Sequence, residues 1–387
     1  MNSTQSRRPS PIVYLLVLAA LALLAAIYYV PVWWVSLTAP NYPPEAFPNG
    51  VRIEFHMNGV FNGCIRVEKA EIREEEALDC VHEMDTINHY VGMYPIAAGG
   101  VVERAFSPFL ISMLGVMLVG FVVPRPGLRV AVLALGFAGI AAWMALYFYT
   151  PDGLRYQNEG YLSALVNALD QSAEEEPREL SPGETLIARL KAELAASSAK
   201  EAQQAGGQSD KRRLIENLRV TFERDQERRA EDQRQSWTGS GSQMLVWHYA
   251  KTLGRYFNNP AEIAPMAEKM SVAAHLVFWV MIGLMLLLVW GARRNGGTWY
   301  WLLVLAPMAL PVFFLADYSA WLWWYGHTLN DMGAFTVKPF MPTVFGDGKV
   351  AQFATHSYPD VGFGLMLALS VSVALAALLR RKQWRGN

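Results

Sequence analysis

The chain has 387 residues, of which 52% are hydrophobic and only 17% charged, with a net charge of -1 and two cysteines. Ordinary globular chains carry roughly 25% charged residues, so the two or three soluble domains that the length invites are disfavoured. No basic domain and no recognition motif is present, which argues against nucleic acid as a partner.

Six apolar runs dominate the chain, at about 12–30, 105–123, 129–149, 271–291, 299–317 and 361–379. At about 1.5 Å per residue each crosses, or nearly crosses, a hydrocarbon layer of about 30 Å. The expected fold is therefore mainly α: a polytopic membrane protein with six transmembrane helices, a small β-hairpin in the first outer loop and a helical second outer loop.

Residues 1–35 read as an anchor rather than a cleaved signal, because the run is long and no small-residue cleavage site precedes Pro31. Residues 36–104 form the first outer loop. Trp33 and Trp34 at its start suit an interfacial aromatic belt. Val51, Ile53, Phe55 and Met57 alternate with polar residues, Asn58-Gly59 and Asn62-Gly63 are turn dipeptides, and Cys64–Val67 resumes the alternation, so a hairpin is expected. Glu68 to Asp79 reads as a short solvated helix. Cys64 and Cys80 lie in this loop; a disulfide is expected in an oxidising compartment, with a thiolate metal pair as the alternative.

Residues 105–149 hold the second and third spans, with Pro108 near the start of the second. Residues 150–270 form a charged insertion. Leu186, Leu190 and Leu194, and then Leu214, Leu218 and Phe222, recur at helical spacing on either side of Gly206-Gly207, predicting a hairpin of amphipathic helices. A Gly/Ser stretch, Thr238 to Ser242, precedes a helical segment over Met244–Tyr256. Residues 271–317 hold the fourth and fifth spans. Pro307 and Pro311 predict a kink whose freed carbonyls neighbouring helices must satisfy. Residues 318–360 read as an ordered but irregular loop, punctuated by glycine and proline, and 361–387 as the sixth span with a basic tail.

Ten basic residues and no acid occupy the N-terminus, the turns at Arg125/Arg129 and Arg293/Arg294, and the C-terminus, while all 34 acids fall in or at the edges of the other three connectors. The positive-inside rule then predicts a bacterial cytoplasmic (inner) membrane protein with both termini cytoplasmic and three outward, periplasmic loops.

All seven histidines lie in those loops or within one turn of them. Imidazole with thioether suits copper, Cu(I) above all. His89 and Met93, four apart, share a face if helical. With His327 they define a candidate metal site bridging the first and third loops, with Met332 and His356 as further ligands and Asn88 and Tyr90 as hydrogen-bonding groups that orient them. His275 and Asp317, at the edges of spans, are functional candidates, or else polar ties between helices. CxxCH, Walker, HExxH and GxSxG signatures are lacking, which disfavours c-type haem, an ATP-driven pump and a standard hydrolase.

The strings Ala39-Pro-Asn-Tyr-Pro43, Ile87-Asn-His-Tyr-Val-Gly-Met93, Tyr325-Gly-His-Thr-Leu329, Lys338-Pro-Phe-Met-Pro342 and Phe353 to Gly362 resemble a poorly characterised multi-pass membrane protein family. That family is associated with maturation of nitrous oxide reductase and related copper enzymes. The resemblance covers roughly the first 105 and last 90 residues; the acidic stretch between the cysteines and the insertion at 150–270 depart from it. The resemblance and the His/Met pattern together point to a non-enzymatic accessory protein that binds or relays copper at the outer membrane surface, or holds a partner that does, in contact with membrane lipid and with a periplasmic or membrane copper enzyme or chaperone. Two rivals are a passive transporter or channel with His275 and Asp317 on the path, and a scaffold or sensor docking a partner through its helical loop.

Overall fold

A computed structural model of the chain describes residues 8–65, 79–173, 208–293, 297–350 and 352–385. Among these, the helices are α1 (Pro11–Tyr29), α2 (Cys80–Tyr90), α3 (Val101–Val122), α4 (Pro126–Tyr149), α5 (Glu159–Ala173), α6 (Gln208–Glu227), α7 (Gly241–Leu253), α8 (Pro260–Gly291), α9 (Thr298–Met308), α10 (Leu310–His327) and α11 (Val361–Arg385). Five strands accompany them: β1 (Trp33–Thr38), β2 (Val51–His56), β3 (Gly59–Asn62), β4 (Gly346–Val350) and β5 (Phe353–Pro359).

Five helices, α1, α3, α4, α8 and α11, are long and apolar enough to cross a membrane, and α9 with α10 makes a sixth if the bent pair is one span. The chain is thus a multi-pass, membrane-type helical bundle. α3 is its centre: 61% of its apolar window is buried, against 28–33% for the other four. The remaining faces expose large apolar side chains such as Leu135, Leu286, Trp279 and Leu18, which only a lipid environment tolerates over so wide an area. Pro108 lies inside α3 without breaking it. Its missing N–H would leave the Arg104 carbonyl bare, and the Ser107 hydroxyl donates to that oxygen at 2.9 Å.

The predicted kink in the fifth apolar run is a 60° bend at Ala309. The Met308 carbonyl at the break accepts from Ser370 Oγ of α11 at 2.7 Å, the repair from a neighbouring helix that proline in a span requires. With α9 upright, its eleven residues rise about 16 Å and the inclined α10 about 13 Å, together close to the thickness of a hydrocarbon core. Helix continues to His327, ten residues beyond the predicted end at 317, so Asp317 sits mid-helix rather than at a span's end.

The predicted hairpin exists as β2 and β3, turning at Met57-Asn58. Its ladder stops at Asn62, so Cys64 does not resume the alternation as expected; residues 66–78, with most of the predicted acidic helix, lie outside the described residues. One further correction concerns strands. Trp33 and Trp34 open β1, where Trp33 is buried, and the third loop is not irregular throughout, since β4 and β5 run through it. All five strands form one antiparallel sheet in the order β3-β2-β1-β5-β4, so the first and third loops are a single unit. Local sequence pattern carries no sign of this, because the pairing of β1 with β5 joins segments more than 300 residues apart.

The Cys64–Cys80 disulfide is formed, and it joins the end of the hairpin to the first residue of α2. Asp79 caps α2 by accepting from the Val81 and His82 amides. In the insertion, α6 buries Leu218 and Phe222 against α5 and α7; the leucine repeat over 186–194 and Gly206-Gly207 lie outside the described residues. Ser240 caps α7 through its bond from the Gln243 amide.

The motifs singled out from sequence fold into one clasp. Gly92, with φ +88°, ends α2, and its carbonyl accepts from the Asn330 amide at 2.8 Å. The Tyr90 carbonyl accepts from the Phe335 amide at 2.9 Å. A Cβ on Gly92 would stand 2.6 Å from the Asn330 carbonyl oxygen, and one on Gly333 would stand 2.7 Å from the Gly92 nitrogen. Replacing Gly92 by alanine is therefore expected to cost about 1–3 kcal/mol. The check is the melting temperature in detergent, compared with Gly127→Ala, where a Cβ meets nothing within 4 Å and no loss is expected.

His248 of α7 is fully buried, with Nε2 3.1 Å from the Leu165 carbonyl of α5. Burial pushes the imidazole down to about 3, the nearby Arg104 charge adds to the effect, and the Leu165 bond opposes it. The unfolded imidazole takes a proton near pH 6.5 and the folded one does not until about pH 3, so stability falls as the pH drops through that window. The expected slope is up to about 1.4 kcal/mol per pH unit. His248→Gln, which keeps a donor for Leu165, should flatten a melting-temperature profile between pH 6.5 and 4.

Candidate functional site

Beyond the bend at Ala309, α10 stays packed on α11 but parts from α3 and α8, against which α9 packs, and so leaves a wedge beside them. That wedge continues upward as a cleft of about 1350 Å³. Its floor is made of span residues: Leu110 of α3, Val277 and Met281 of α8, and Leu310 and Phe313 of α10. Its roof is one face of the sheet, with Val35, Leu37, Ile53 and Phe55. The walls are α2, through Met84, Ile87 and Tyr90, and the extended chain carrying Phe335, Val337 and Phe340. Each element offers the cleft its apolar side because the strands alternate with period two and α2 turns Met84 and Ile87 inward.

Buried polar contacts hold these walls. Asp85 of α2 lies 3.6 Å from Arg255, with both side chains at most 2% exposed. Arg255 also donates to His82 Nδ1 at 2.7 Å, and Asp85 accepts from the Ile96 amide at 2.7 Å. A buried ion pair repays its desolvation only when such further bonds surround it. Asn330 donates to Glu262 at 2.8 Å, and Tyr94 donates to the same oxygen at 3.4 Å. Tyr325 donates to the Pro95 and Ile96 carbonyls. Ser357 joins the sheet to α10, since its hydroxyl meets Trp33 Nε1 at 2.9 Å and the Tyr318 hydroxyl at 3.2 Å.

The cleft's own polar groups are few. Glu103 and Asp317 both line it, and their carboxyl groups lie close together. Arg104, beside Glu103, is used on the turn before α3, donating to the Gly100 and Ala97 carbonyls. His56 stands at the rim, edge-on to Phe61, and burial lowers its pKa below the usual imidazole value.

The sequence-derived metal ligands do not gather. α2 ends before Met93, so His89 and Met93 do not share a helix face: the left-handed turn at Gly92 separates them. His89 lies between Tyr90 and Tyr256, stacked on the latter at 4.6 Å, whereas Met93 is buried and lines the cleft with Asn88 and Tyr90. His327 stacks on Trp323 and bonds the Trp323 carbonyl at 2.8 Å. Met332 is 66% exposed, and His356 pairs with Asp347 at 2.6 Å on the far face of the sheet. No group of three His, Cys, Asp or Glu able to hold a metal occurs among the described residues. His275 takes the tying role, with Nδ1 2.9 Å from the Tyr149 hydroxyl, linking α8 to α4; of the two embedded polar candidates, Asp317 alone lines the cleft.

Glu103 and the Asp85–Arg255 pair went unnoticed in the sequence. The only trace of Glu103 was a charged pair, Glu103-Arg104, at the mouth of an apolar run. No family model, no curated protein and no solved structure matches this chain.

Proposed function

We propose that the protein is a membrane-embedded binding protein that takes a long-chain amphiphile sideways from the bilayer into the cleft beneath the sheet. One observation carries this reading: the cleft's floor consists of span residues and its roof of a sheet beyond the spans, so a continuous apolar path leads out of the lipid. Its volume exceeds the range of roughly 300–1000 Å³ usual for small-molecule pockets. Glu103 of α3 and Asp317 of α10 place two carboxyl groups on this mostly apolar path. The membrane is a bacterial cytoplasmic membrane, with the sheet on its outer face, as the basic turns and tails argue.

The test uses the full chain in nanodiscs containing a phospholipid with a diazirine at the end of one acyl chain. Cross-links are expected on β1 and β2, which a tail reaches only by leaving the bilayer, and Val337→Trp, which narrows the cleft, should reduce them several-fold. Cross-links confined to the lipid-facing residues of α8, such as Leu276 and Trp279, would overturn the proposal.

A second reading, copper relay for maturation of a partner copper enzyme, draws support from the same cleft, where Met57, Met84, Met93, Met281 and Met341 occur with His56. Thioethers with one imidazole suit Cu(I). Near-stoichiometric copper after Cu(I) loading under reducing conditions, lost in Met84→Leu/Met93→Leu, is the outcome this reading expects. An intact protein that takes up no copper removes it.

A further inference from the structure

The face of the sheet turned away from the cleft carries a separate arrangement. Asp347, His356 and Ser36 stand directly opposite one another across β4, β5 and β1, and Thr38 lies two residues along β1 on the same face. His356 Nδ1 is 2.6 Å from Asp347 Oδ1, and its Nε2 is 3.5 Å from Thr38 Oγ1. Tyr358 donates to the same Asp347 oxygen at 3.1 Å, and the bonds from His356 and Tyr358 hold the carboxylate below its usual range. Thr38 is positioned by Gly50, whose φ is +68° and whose missing Cβ would stand 2.8 Å from the Thr38 methyl carbon. The methyl thus rests against Gly50 while the hydroxyl is turned to the imidazole. Thr38 and His356 open into a cavity of about 650 Å³ bounded by the Pro40–Gly50 segment, with Trp34, Arg52, Lys349 and Gln352 around it.

A hydroxyl at the free nitrogen of an imidazole, whose other nitrogen is held by a carboxylate, is the arrangement that activates a nucleophile; the contact is often loose without substrate. We propose that Thr38, His356 and Asp347 form a catalytic site for acyl transfer from small carboxylic esters. Thr38 Oγ bonds to the ester carbonyl carbon while His356 Nε2 takes its proton. The bond to the alcohol oxygen then breaks, and the imidazolium returns the proton to that oxygen, leaving the acyl group on Thr38. Water, giving its proton to the same nitrogen, attacks the acyl carbon, and the acid leaves as Thr38 recovers its hydrogen. Asp347 keeps Nδ1–H directed to itself, so that Nε2 is the basic nitrogen. Lys349 and Gln352 supply positive charge and donors near the developing oxyanion. This site is independent of the amphiphile reading, since it occupies the other face of the sheet.

The test measures p-nitrophenyl acetate hydrolysis by the full chain in detergent, with mass-spectrometric mapping of a fluorophosphonate probe. Saturable turnover is expected, reduced at least about 100-fold in Thr38→Val and in His356→Gln. Thr38→Ser should retain turnover, and the probe should attach to Thr38. Equal rates for Thr38→Val and the unaltered chain, or no turnover above the Thr38→Val/His356→Gln background, would overturn the proposal. So would a fluorophosphonate adduct elsewhere. Adduct mapping needs only the unaltered chain, so a variant that misfolds does not protect the idea.

Discussion

The structure depends on how the first and last spans leave the membrane. α1 and α11 pack along each other and pass without a loop into β1 and out of β5, so two chains meet with their backbone groups unpaired. They satisfy one another. Val32 and Pro31 accept from the amides of Asp360 and Gly362, and the ladder continues from Trp33↔Pro359 to Thr38↔Ala354. Every other strand is added to that central pair, β2 and β3 on one side and β4 on the other. An unpaired amide or carbonyl beside the membrane costs enough to make this pairing compulsory once the two helices are adjacent.

A second constraint, the break at Ala309, turns this frame into a site. Two prolines within five residues cannot continue one straight helix, and the 60° bend leaves α3 and α8 without a partner along the wedge. The side chains there are apolar because they face lipid or the cleft. The cleft is thus the space left when a sheet is held over a bundle that has been pushed apart on one side. On the inclined α10, Asp317 lies close to Glu103 of α3.

The sequence motifs acquire a physical meaning different from ligation. Gly92, Asn330 and Gly333 bring two backbones closer than any side chain permits, and Gly326 does the same against Phe340, whose amide donates to the Gly326 carbonyl. Such strings look like binding sites because they combine glycine, asparagine, histidine and aromatics, which are also the residues that tight backbone contacts require. Here His89 and His327 stack on aromatic neighbours, and the neighbouring glycines carry the contact.

Much was legible in order along the chain. Apolar runs of about twenty residues read as membrane-type helices because a bilayer admits little else, the alternation over Val51–Phe55 marked β2 although its hairpin turns one residue earlier than the Asn58-Gly59 dipeptide and returns through Gly59–Asn62, and Pro307 and Pro311 foretold the bend. What only the tertiary structure decided is everything that joins distant segments: β1 with β5, Asp85 with Arg255, Glu103 with Asp317, and Thr38 with His356 and Asp347. Local propensity depends on neighbours within a few residues, whereas each of these contacts depends on register and helix placement across long loops. Periodicity reports which side of an element is apolar, but the partner on that side is selected by packing and by the need to pair backbone groups.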